Sequence, residues 1–387
     1  GDKTMKKKAA AILITAMALN LVACSSSNTS NTTTAGQDTA AAENADTTEA
    51  AEEGDSEATE GEGLKIAFFM YENSNTFTTY IRLGLENYGA EHNVTVESFD
   101  GRSDQATQTD GITAALATGQ YDLVVVNPVD SGAGATINSL CEQNGVPVIY
   151  ADRAPDLIGG VLDEYEDAYY VGLDWSEPGA VQAEMMYEDW KNNQEAIDTN
   201  GDGVLQYVIL QGNVAQQNAI YRTNAIHDLM DQWNEDGTMP NGQLDIQDGN
   251  WTSEQGRNVM DTWNVRFGDQ IEAVLCNNDT MAMGAVESLK TAGAFDDGKG
   301  PRVYGINGIP DVWDMIEEET MSGTVLTSPY TEAQIIIDMA LNICADKEPL
   351  EGTDYQWGEF GKDVRVVNIP IRIEDLDVAK EDYGNCM

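Results

Sequence analysis

Oxygen-bearing side chains recur at regular intervals in the run DTNGDGVLQ, residues 198–206. Asp198, Asn200 and Asp202 take positions 1, 3 and 5 of a calcium-binding loop of the EF-hand type, and Gly203 supplies the turn at position 6. Carboxylate and amide oxygens at this spacing can surround one Ca²⁺ ion. The run therefore predicts a structural calcium site, with an ordinary Asx-rich turn as the alternative.

The rest of the loop supplies two more oxygens but lacks the final carboxylate. Val204 would offer its carbonyl at position 7, and Gln206 stands at position 9. Position 12, where an EF-hand has a bidentate Glu, is Ile209, inside the apolar run 207–210 that is typical of a buried strand. The last ligand must therefore come from elsewhere in the chain.

A second set of residues consists mainly of neutral amides with a few aromatics, each a short distance after an apolar run. An amide can both donate to and accept from hydroxyl groups, and an aromatic ring offers a flat apolar face to the C–H face of a pyranose. Singly, each Asn is equally well explained as a loop or cap residue, but together they predict a sugar site. The members are Asn75, Phe77, Asn127, Asp152, Arg153, Gln216, Asn218, Arg222, Trp251, Asn278, Asn307 and Thr327.

The elements that must position these residues alternate from residue 64 onward between short apolar runs and amphipathic stretches. Such alternation predicts parallel βαβ units. About 320 residues exceed one core of this kind, so we expect an α/β fold of two doubly wound parallel-sheet lobes. Ligands of such sheets bind beyond the carboxyl ends of the strands. The predicted strands are 65–70, 94–99, 123–127, 146–150, 205–210, 273–276, 303–306 and 323–326, and the helices include 78–92, 111–118, 218–233 and 280–292.

The N-terminal region predicts where the protein acts. Residues 5–24 combine three lysines, an apolar segment too short to span a bilayer comfortably, and the lipobox LVAC, which predicts a lipoprotein signal cleaved before a lipidated Cys24. A transmembrane anchor is the alternative. Residues 25–63 hold ten acidic residues and no Lys, Arg or aromatic, which is typical of a disordered tether. We expect an extracytoplasmic protein, periplasmic or attached to the outer face of the cytoplasmic membrane only through its lipid.

Charge and cysteine content exclude some functions. The formal net charge of −47 argues against nucleic-acid partners and against binding to an anionic membrane face. Cys141, Cys276, Cys344 and Cys386 form no CxxC motif and no cluster with the two histidines. We therefore expect small core residues without a disulfide, and no metal site built on cysteine.

The chain resembles the galactose/glucose-binding proteins, which are solute receptors of sugar ABC transporters, from about residue 65 to 373. The motifs that carry the resemblance are the calcium loop, AYYVG at 168–172, NNDTMAMGAVESLK at 277–290 and GTVL at 323–326. The resemblance implies a type I periplasmic binding protein with lobes 64–151 plus 328–363 and 152–327 plus 364–387. The lobes would close about three crossing segments near Ala151, Thr327 and Val364, and the expected state is a monomer.

The same resemblance assigns roles to individual residues. It implies that Glu272 supplies the missing calcium carboxylate and that Phe77 and Trp251 sandwich the sugar ring. It also makes Asn127, Arg222 and Asn278 polar contacts to a monosaccharide such as galactose or glucose, which an ABC permease would receive.

Several positions depart from that family. Where its members carry acidic residues facing the sugar, this chain has Asn75, Asn218 and Asn307; Gln216 replaces a His, and Thr327 replaces an Asn. Charge-assisted hydrogen bonds are roughly twice as strong as neutral ones, so galactose binding would be weakened or redirected.

Another group of residues resembles the related ribose receptors. Asn75, Asp152 and Arg153 occupy positions that contact the pentose in those receptors. A pentose or another polar solute is therefore the alternative ligand. Asp152 and Arg153 could instead be hinge-loop residues paired with each other.

Other classes of function fit less well. A glycoside hydrolase would need two carboxylates facing each other across the cleft, where the sequence places mostly amides, so we expect no enzymatic activity. A sugar-responsive repressor would need a basic DNA-binding domain in the place of the acidic tether. A receptor that presents its ligand to a chemoreceptor or a sensor kinase, without transport, stays open.

Overall fold

The structure is a computed structural model that describes residues 63–296, 298 and 300–387. The lipoprotein signal predicted for residues 5–24, with Cys24, lies outside the described residues. So does all but the last residue of the tether predicted for 25–63.

Strands and helices alternate through the described part of the chain. The strands are β1 Leu64–Met70, β2 Val94–Asp100, β3 Leu123–Val126, β4 Val148–Asp152, β5 Ala168–Gly172, β6 Leu205–Gln211, β7 Asn241–Asp248, β8 Ala273–Cys276, β9 Arg302–Tyr304, β10 Thr324–Thr327, β11 Asp363–Arg365 and β12 Asn368–Ile371. The helices are α1 Thr76–Glu91, α2 Gln105–Thr118, α3 Gly134–Asn144, α4 Glu177–Ile197, α5 Gln217–Glu235, α6 Ser253–Arg266, α7 Asp279–Ala292, α8 Trp313–Glu317, α9 Pro329–Ile343 and α10 Leu376–Asn385.

The first lobe is built on a six-stranded parallel sheet in the order β11-β5-β4-β3-β1-β2. All four residues of β3 are buried, which agrees with a strand covered on both faces by helices. Helices α1 and α9 pack together against this lobe, where Gly84 lets the two helices approach closely because a Cβ there would lie 2.9 Å from Ala333 Cβ.

The second lobe has a four-stranded parallel sheet in the order β7-β6-β8-β9 and an antiparallel pair, β10 with β12. Isolated bridges from Tyr304 to Gly323 and from Asn307 to Leu326 join the end of β9 to β10. The expectation of two parallel α/β lobes is confirmed. The antiparallel pair is an addition at the edge of the second sheet.

The chain crosses between the lobes three times, after β5, after β10 and after β11. The crossings expected near Thr327 and Val364 agree with the ends of β10 and β11. The crossing expected near Ala151, and with it the lobe boundary at 151, is wrong. Ala151 pairs with Val171 in β5, so the chain stays in the first sheet until Gly172. Residues 152–172 therefore belong to the first lobe.

Candidate functional site

An inner cavity of about 40 Å³ lies where the carboxyl ends of strands from the two lobes face each other. It brings together every predicted sugar contact except Asn127, Gln216 and Thr327. The first lobe contributes Tyr71, Asn75, Phe77, Thr78, Asp152 and Arg153, and the second lobe contributes Asn218, Arg222, Trp251, Asn278 and Asn307.

Helix α1 brings Asn75 and Phe77 to this cavity. Asn75 is the N-cap of the helix, and its Oδ1 accepts a 3.0 Å hydrogen bond from the N–H of Thr78. The interpretation of Asn75 as a cap residue is thus confirmed. Because only Oδ1 takes part in the cap, the N–H donors of Asn75 Nδ2 are left for other partners. Phe77 follows within the first turn of the helix and is buried.

Asp152 is held in the cavity wall at the end of β4. Its Oδ2 accepts a 3.1 Å hydrogen bond from Asn127 Nδ2, and its φ of +55° lies in the left-handed region, which a non-glycine residue rarely adopts. Burial raises the pKa of Asp152 above its ordinary value, while the charges of Arg153 and Arg222 act in the opposite direction. Asn127 does not line the cavity itself and instead orients Asp152 from behind.

Arg153 lines the cavity without an ion pair to Asp152 among the described residues. Its guanidinium carbon lies 3.5 Å from the centre of the Tyr71 ring, a cation–π contact. Its Nη1 is buried and has no hydrogen-bond partner within the part of the chain that the structure describes. The alternative in which Asp152 and Arg153 simply pair with each other is therefore not what the structure shows.

Helix α5 of the second lobe carries Arg222 into the cavity. Arg222 is 4% exposed, and its Nη1 donates a 2.6 Å hydrogen bond to the carbonyl of Asn277. Burial lowers the pKa of Arg222 to about 10, partly offset by the negative charges of Asp152 and Asp279. The guanidinium remains protonated near neutral pH, so it can donate to a ligand.

Trp251 is fixed from both its ring and its backbone. Its Nε1 donates a 2.6 Å hydrogen bond to Gln216 Oε1, and its carbonyl accepts from Asn278 Nδ2 at 3.2 Å. Its φ is +64°, again in the left-handed region. Gln216 thus stands behind the aromatic ring and does not line the inner cavity.

Thr327 does not reach the inner cavity. It is fully buried at the end of β10, and its hydroxyl donates a 3.1 Å hydrogen bond to Asn368 Oδ1. In contrast, Tyr71 lines the cavity although the sequence did not single it out. The sequence did contain a signal for this residue, because Tyr71 directly follows β1 at the carboxyl edge of the sheet.

The predicted calcium loop lies at the amino end of β6, at the opposite end of the strand from the cavity. Gly201 and Gly203 take φ values of +73° and +78°, and Asp198 Oδ2 accepts from the N–H of Gly203 at 2.8 Å. Asp198 Oδ1 accepts from two more loop N–H groups. The loop therefore folds tightly around the Asp198 carboxylate.

Glu272, from the segment before β8, does reach this loop. Its two carboxylate oxygens accept hydrogen bonds from the N–H groups of Thr199 and Gln206, at 2.8 and 3.0 Å. Gln206 Oε1 accepts from Asn200 Nδ2, and its Nε2 donates to Asp202 Oδ2. Among the described residues, no three acidic, His or Cys side chains gather into a group that could hold a metal.

Residues 66–348 match the family model of the periplasmic binding protein domain. That match covers most of the chain and reaches from β1 to α9, leaving out β11 and β12. The chain belongs to the periplasmic binding protein family.

Relatives of this periplasmic binding protein include named sugar and polyol receptors. The D-galactose/methyl-galactoside binding periplasmic protein of Haemophilus influenzae is 29% identical over 287 residues, covering 74% of this chain and 80% of that one. A xylitol-binding protein of Mycolicibacterium smegmatis is 24% identical, covering 82% of each. These relatives are solute-binding proteins, and this periplasmic binding protein is likewise a binding protein and not an enzyme.

Solved structures agree with the fold. An ABC transporter periplasmic solute binding protein from Actinobacillus succinogenes with bound D-allose has a TM-score of 0.68 at 23% identity, covering 81% of this chain and 99% of that one. A solute binding protein from Bacillus halodurans with bound myo-inositol has a TM-score of 0.66 at 21% identity, covering 84% and 100%. At such identities the likeness concerns the fold alone.

Within the part of the chain that the structure describes, no helix is both long enough and apolar enough to cross a bilayer.

Proposed function

We propose that this periplasmic binding protein is an extracytoplasmic receptor that binds a monosaccharide between its lobes and delivers it to an ABC permease. The observation that carries the proposal is a set of buried polar atoms at the inner cavity that have no partner among the described residues: Arg153 Nη1, Arg222 Nε and, just behind, Asn127 Oδ1. An unmade buried hydrogen bond costs about 1–3 kcal/mol. A polyhydroxylated ligand between the lobes would satisfy such groups.

The composition of the cavity wall supports a neutral ring as that ligand. Phe77 and Trp251 come from opposite lobes and offer the apolar faces that C–H groups of a sugar contact. Asp152 is the only carboxylate in the wall of the inner cavity formed by the described residues. The names and bound ligands of the relatives, from methyl-galactoside to xylitol and D-allose, are all polyhydroxylated.

The size of the cavity implies a mechanism of opening and closing. About 40 Å³ is far below the roughly 150 Å³ of a cavity that holds a benzene ring, so a sugar ring enters only when the lobes or their side chains move apart. The three crossing segments after Gly172, Thr327 and Arg365 are the places where such a rotation would occur. Closure around the sugar would create the surface that a permease recognises.

Galactose, glucose or a related sugar is the proposed ligand class, with pentoses as the alternative. Asn75, Asn218 and Asn307 present amides at the cavity. They leave Asp152 as the only carboxylate in the wall formed by the described residues that can accept a charge-assisted bond from a hydroxyl group. This pattern favours a ligand with several neutral donor–acceptor pairs.

Two further features belong to the proposal. We propose a structural Ca²⁺ held by Asp198, Asn200, Asp202, the Val204 carbonyl, Gln206 and Glu272, which would stabilise the second lobe. The glycine turns and the arrival of Glu272 fit such an ion, and burial raises the pKa of Glu272, a penalty that a nearby cation would reverse. Lipidation at Cys24 would attach the receptor to the membrane.

Thermal unfolding of the purified protein with calcium, against a panel of hexoses, pentoses, methyl glycosides and polyols, tests the proposal. We expect a rise in Tm with one class of these ligands only. A panel without any shift would contradict a sugar receptor of this kind.

A further inference from the structure

A second and larger cavity adjoins the inner one. It measures about 220 Å³, and Arg153 and Asn218 stand in the walls of both cavities. A cavity of about 150 Å³ is enough to hold a six-membered ring such as benzene. The second cavity is therefore large enough for a ring, whereas the inner cavity in the same structure is not.

The walls of the second cavity come from both lobes and from the crossing segment between them. The first lobe contributes residues 128–131 with Arg153 and Ala154, and the second lobe contributes Asn213 and residues 215–218, around the start of α5. Trp175 lies in the crossing segment after β5 and completes the wall. A ligand in this cavity would thus contact both lobes and would favour their closed arrangement.

The side chains in this wall combine one aromatic ring with several polar groups. Trp175 is 9% exposed, and its ring centre lies 5.2 Å from that of Tyr221, so its position is fixed by packing. Ser131, Asn213 and Gln217 supply hydroxyl and amide groups around it. An aromatic face with amide neighbours is the pattern that recognises a sugar ring.

Arg153 lies between the two cavities and has an N–H donor without a partner among the described residues. Its guanidinium is held against the Tyr71 ring at 3.5 Å, while its buried Nη1 lacks a partner within the described residues. An oxygen atom that joins two rings would pass this position if one ring lay in each cavity. A free monosaccharide in the inner cavity would leave the second cavity and its aromatic wall unused.

We propose that the second cavity is a subsite for a second ring, so that the preferred ligand of this receptor is a glycoside, and in particular a disaccharide. The proposal rests on the proposed sugar-receptor function and specifies its substrate class. Trp175 would contact the face of the second ring, and Arg153 would donate to an oxygen at or beside the glycosidic bond.

Isothermal titration calorimetry compares each monosaccharide with its two-ring derivatives. The probes are D-galactose, methyl β-D-galactoside, lactose and melibiose, and D-glucose, methyl β-D-glucoside, cellobiose and maltose. One aromatic contact and one hydrogen bond predict roughly ten-fold tighter binding of at least one disaccharide over its monosaccharide and methyl glycoside.

A pair of adjacent variants locates the second ring. Ala215 is exposed and lines the second cavity, so A215W would fill the cavity without disturbing the core; Val214 is 53% exposed and does not line it, so V214W is the matched control. We expect A215W to remove the disaccharide advantage while monosaccharide affinity stays within about two-fold, and V214W to change neither.

The outcomes separate the two proposals. Monosaccharide binding without any gain from a second ring would overturn the subsite and leave the receptor function standing. Equal losses of monosaccharide and disaccharide affinity in A215W, with none in V214W, would also overturn the subsite. If no sugar binds the wild-type protein, both proposals fail.

Discussion

The backbone N–H of Asp152 donates a 2.6 Å hydrogen bond to Glu332 Oε1, which ties the end of β4 to the first turn of α9. Glu332 is fully buried, and its Oε2 has no partner among the described residues. Because α9 begins directly after the second crossing segment, this bond links a cavity residue to the hinge. It also helps to hold Asp152 in its left-handed conformation.

We expect the contribution of Glu332 to the free energy of unfolding to fall as pH rises. Burial raises its pKa well above the ordinary value, and the negative charge of Asp152 acts in the same direction. Its favourable contribution is complete below about pH 4.3, the unfolded pKa, and is lost as pH rises toward the higher folded pKa. Glu332→Gln keeps an acceptor for Asp152 and cannot ionise, so its stability relative to wild type should increase with pH.

Urea unfolding at several values between about pH 4.5 and 8 measures this effect. Glu195→Gln, at an exposed position of α4, is the control and should give a constant difference from wild type. Parallel curves for wild type and Glu332→Gln would mean that the pKa of Glu332 is not raised in the folded protein.

Trp251→Ala should abolish stabilisation by ligand while leaving the unliganded fold intact. Trp251 is only partly buried and presents its ring to the inner cavity, so its removal deletes a ligand contact and little core. The measurement is the sugar-induced shift in Tm, compared between the variant and the wild-type protein. Trp357→Ala removes a 38% exposed Trp that stacks on Tyr169 and should keep the full shift. An undiminished response in Trp251→Ala would rule out the proposed ring sandwich.

Removal of calcium should lower the Tm of the purified protein by several degrees. A ligand at about 100 times its Kd stabilises by about 2.7 kcal/mol, and each kcal/mol corresponds to roughly 2–4 °C for a lobe of this size. Differential scanning calorimetry before and after exhaustive chelation measures the change. Glu272→Gln should be insensitive to the chelator, because it removes the buried carboxylate that we propose as the last calcium ligand. An unchanged Tm of wild type after chelation would refute the calcium proposal.

Gly179→Ala should destabilise the second lobe. A Cβ at this position of α4 would lie 2.1 Å from the carbonyl oxygen of Arg222 in α5, so the two helices would have to separate at the residue that lines the cavity. We expect a loss of about 1–3 kcal/mol in the free energy of unfolding, together with weaker sugar binding. Gly384 in α10 has no atom within 4 Å of the corresponding point.

Gly384 is the matched control because it is also a glycine within a helix. Gly384→Ala should be neutral or stabilising by up to about 1 kcal/mol, because alanine favours the helix. Chemical denaturation of both variants checks the pair. Equal stabilities would show that α4 and α5 can shift apart at little cost.

Strands that consist of long apolar runs were predicted from the sequence almost to the residue. The predicted strand 273–276 coincides with β8, and 65–70 differs from β1 by one residue, because central strands of a parallel sheet are apolar on both faces. Strand β7 was missed, since it lies at an edge of the second sheet and its residues NGQLDIQD are largely polar and half-exposed. A strand that is not buried does not need apolar residues, so its sequence carries no hydrophobic pattern.

The sequence by itself determined the family, the alternation of strands and helices, and most residues of the candidate site, because side-chain type and spacing are local properties. Tertiary structure alone decided which strands share a sheet and which side chains share a cavity. Pairing of β4 with β5 moved the first crossing from Ala151 to Gly172, and Thr327 bonds to Asn368 and does not line the inner cavity. These outcomes depend on partners far apart in the chain, and no local pattern records them.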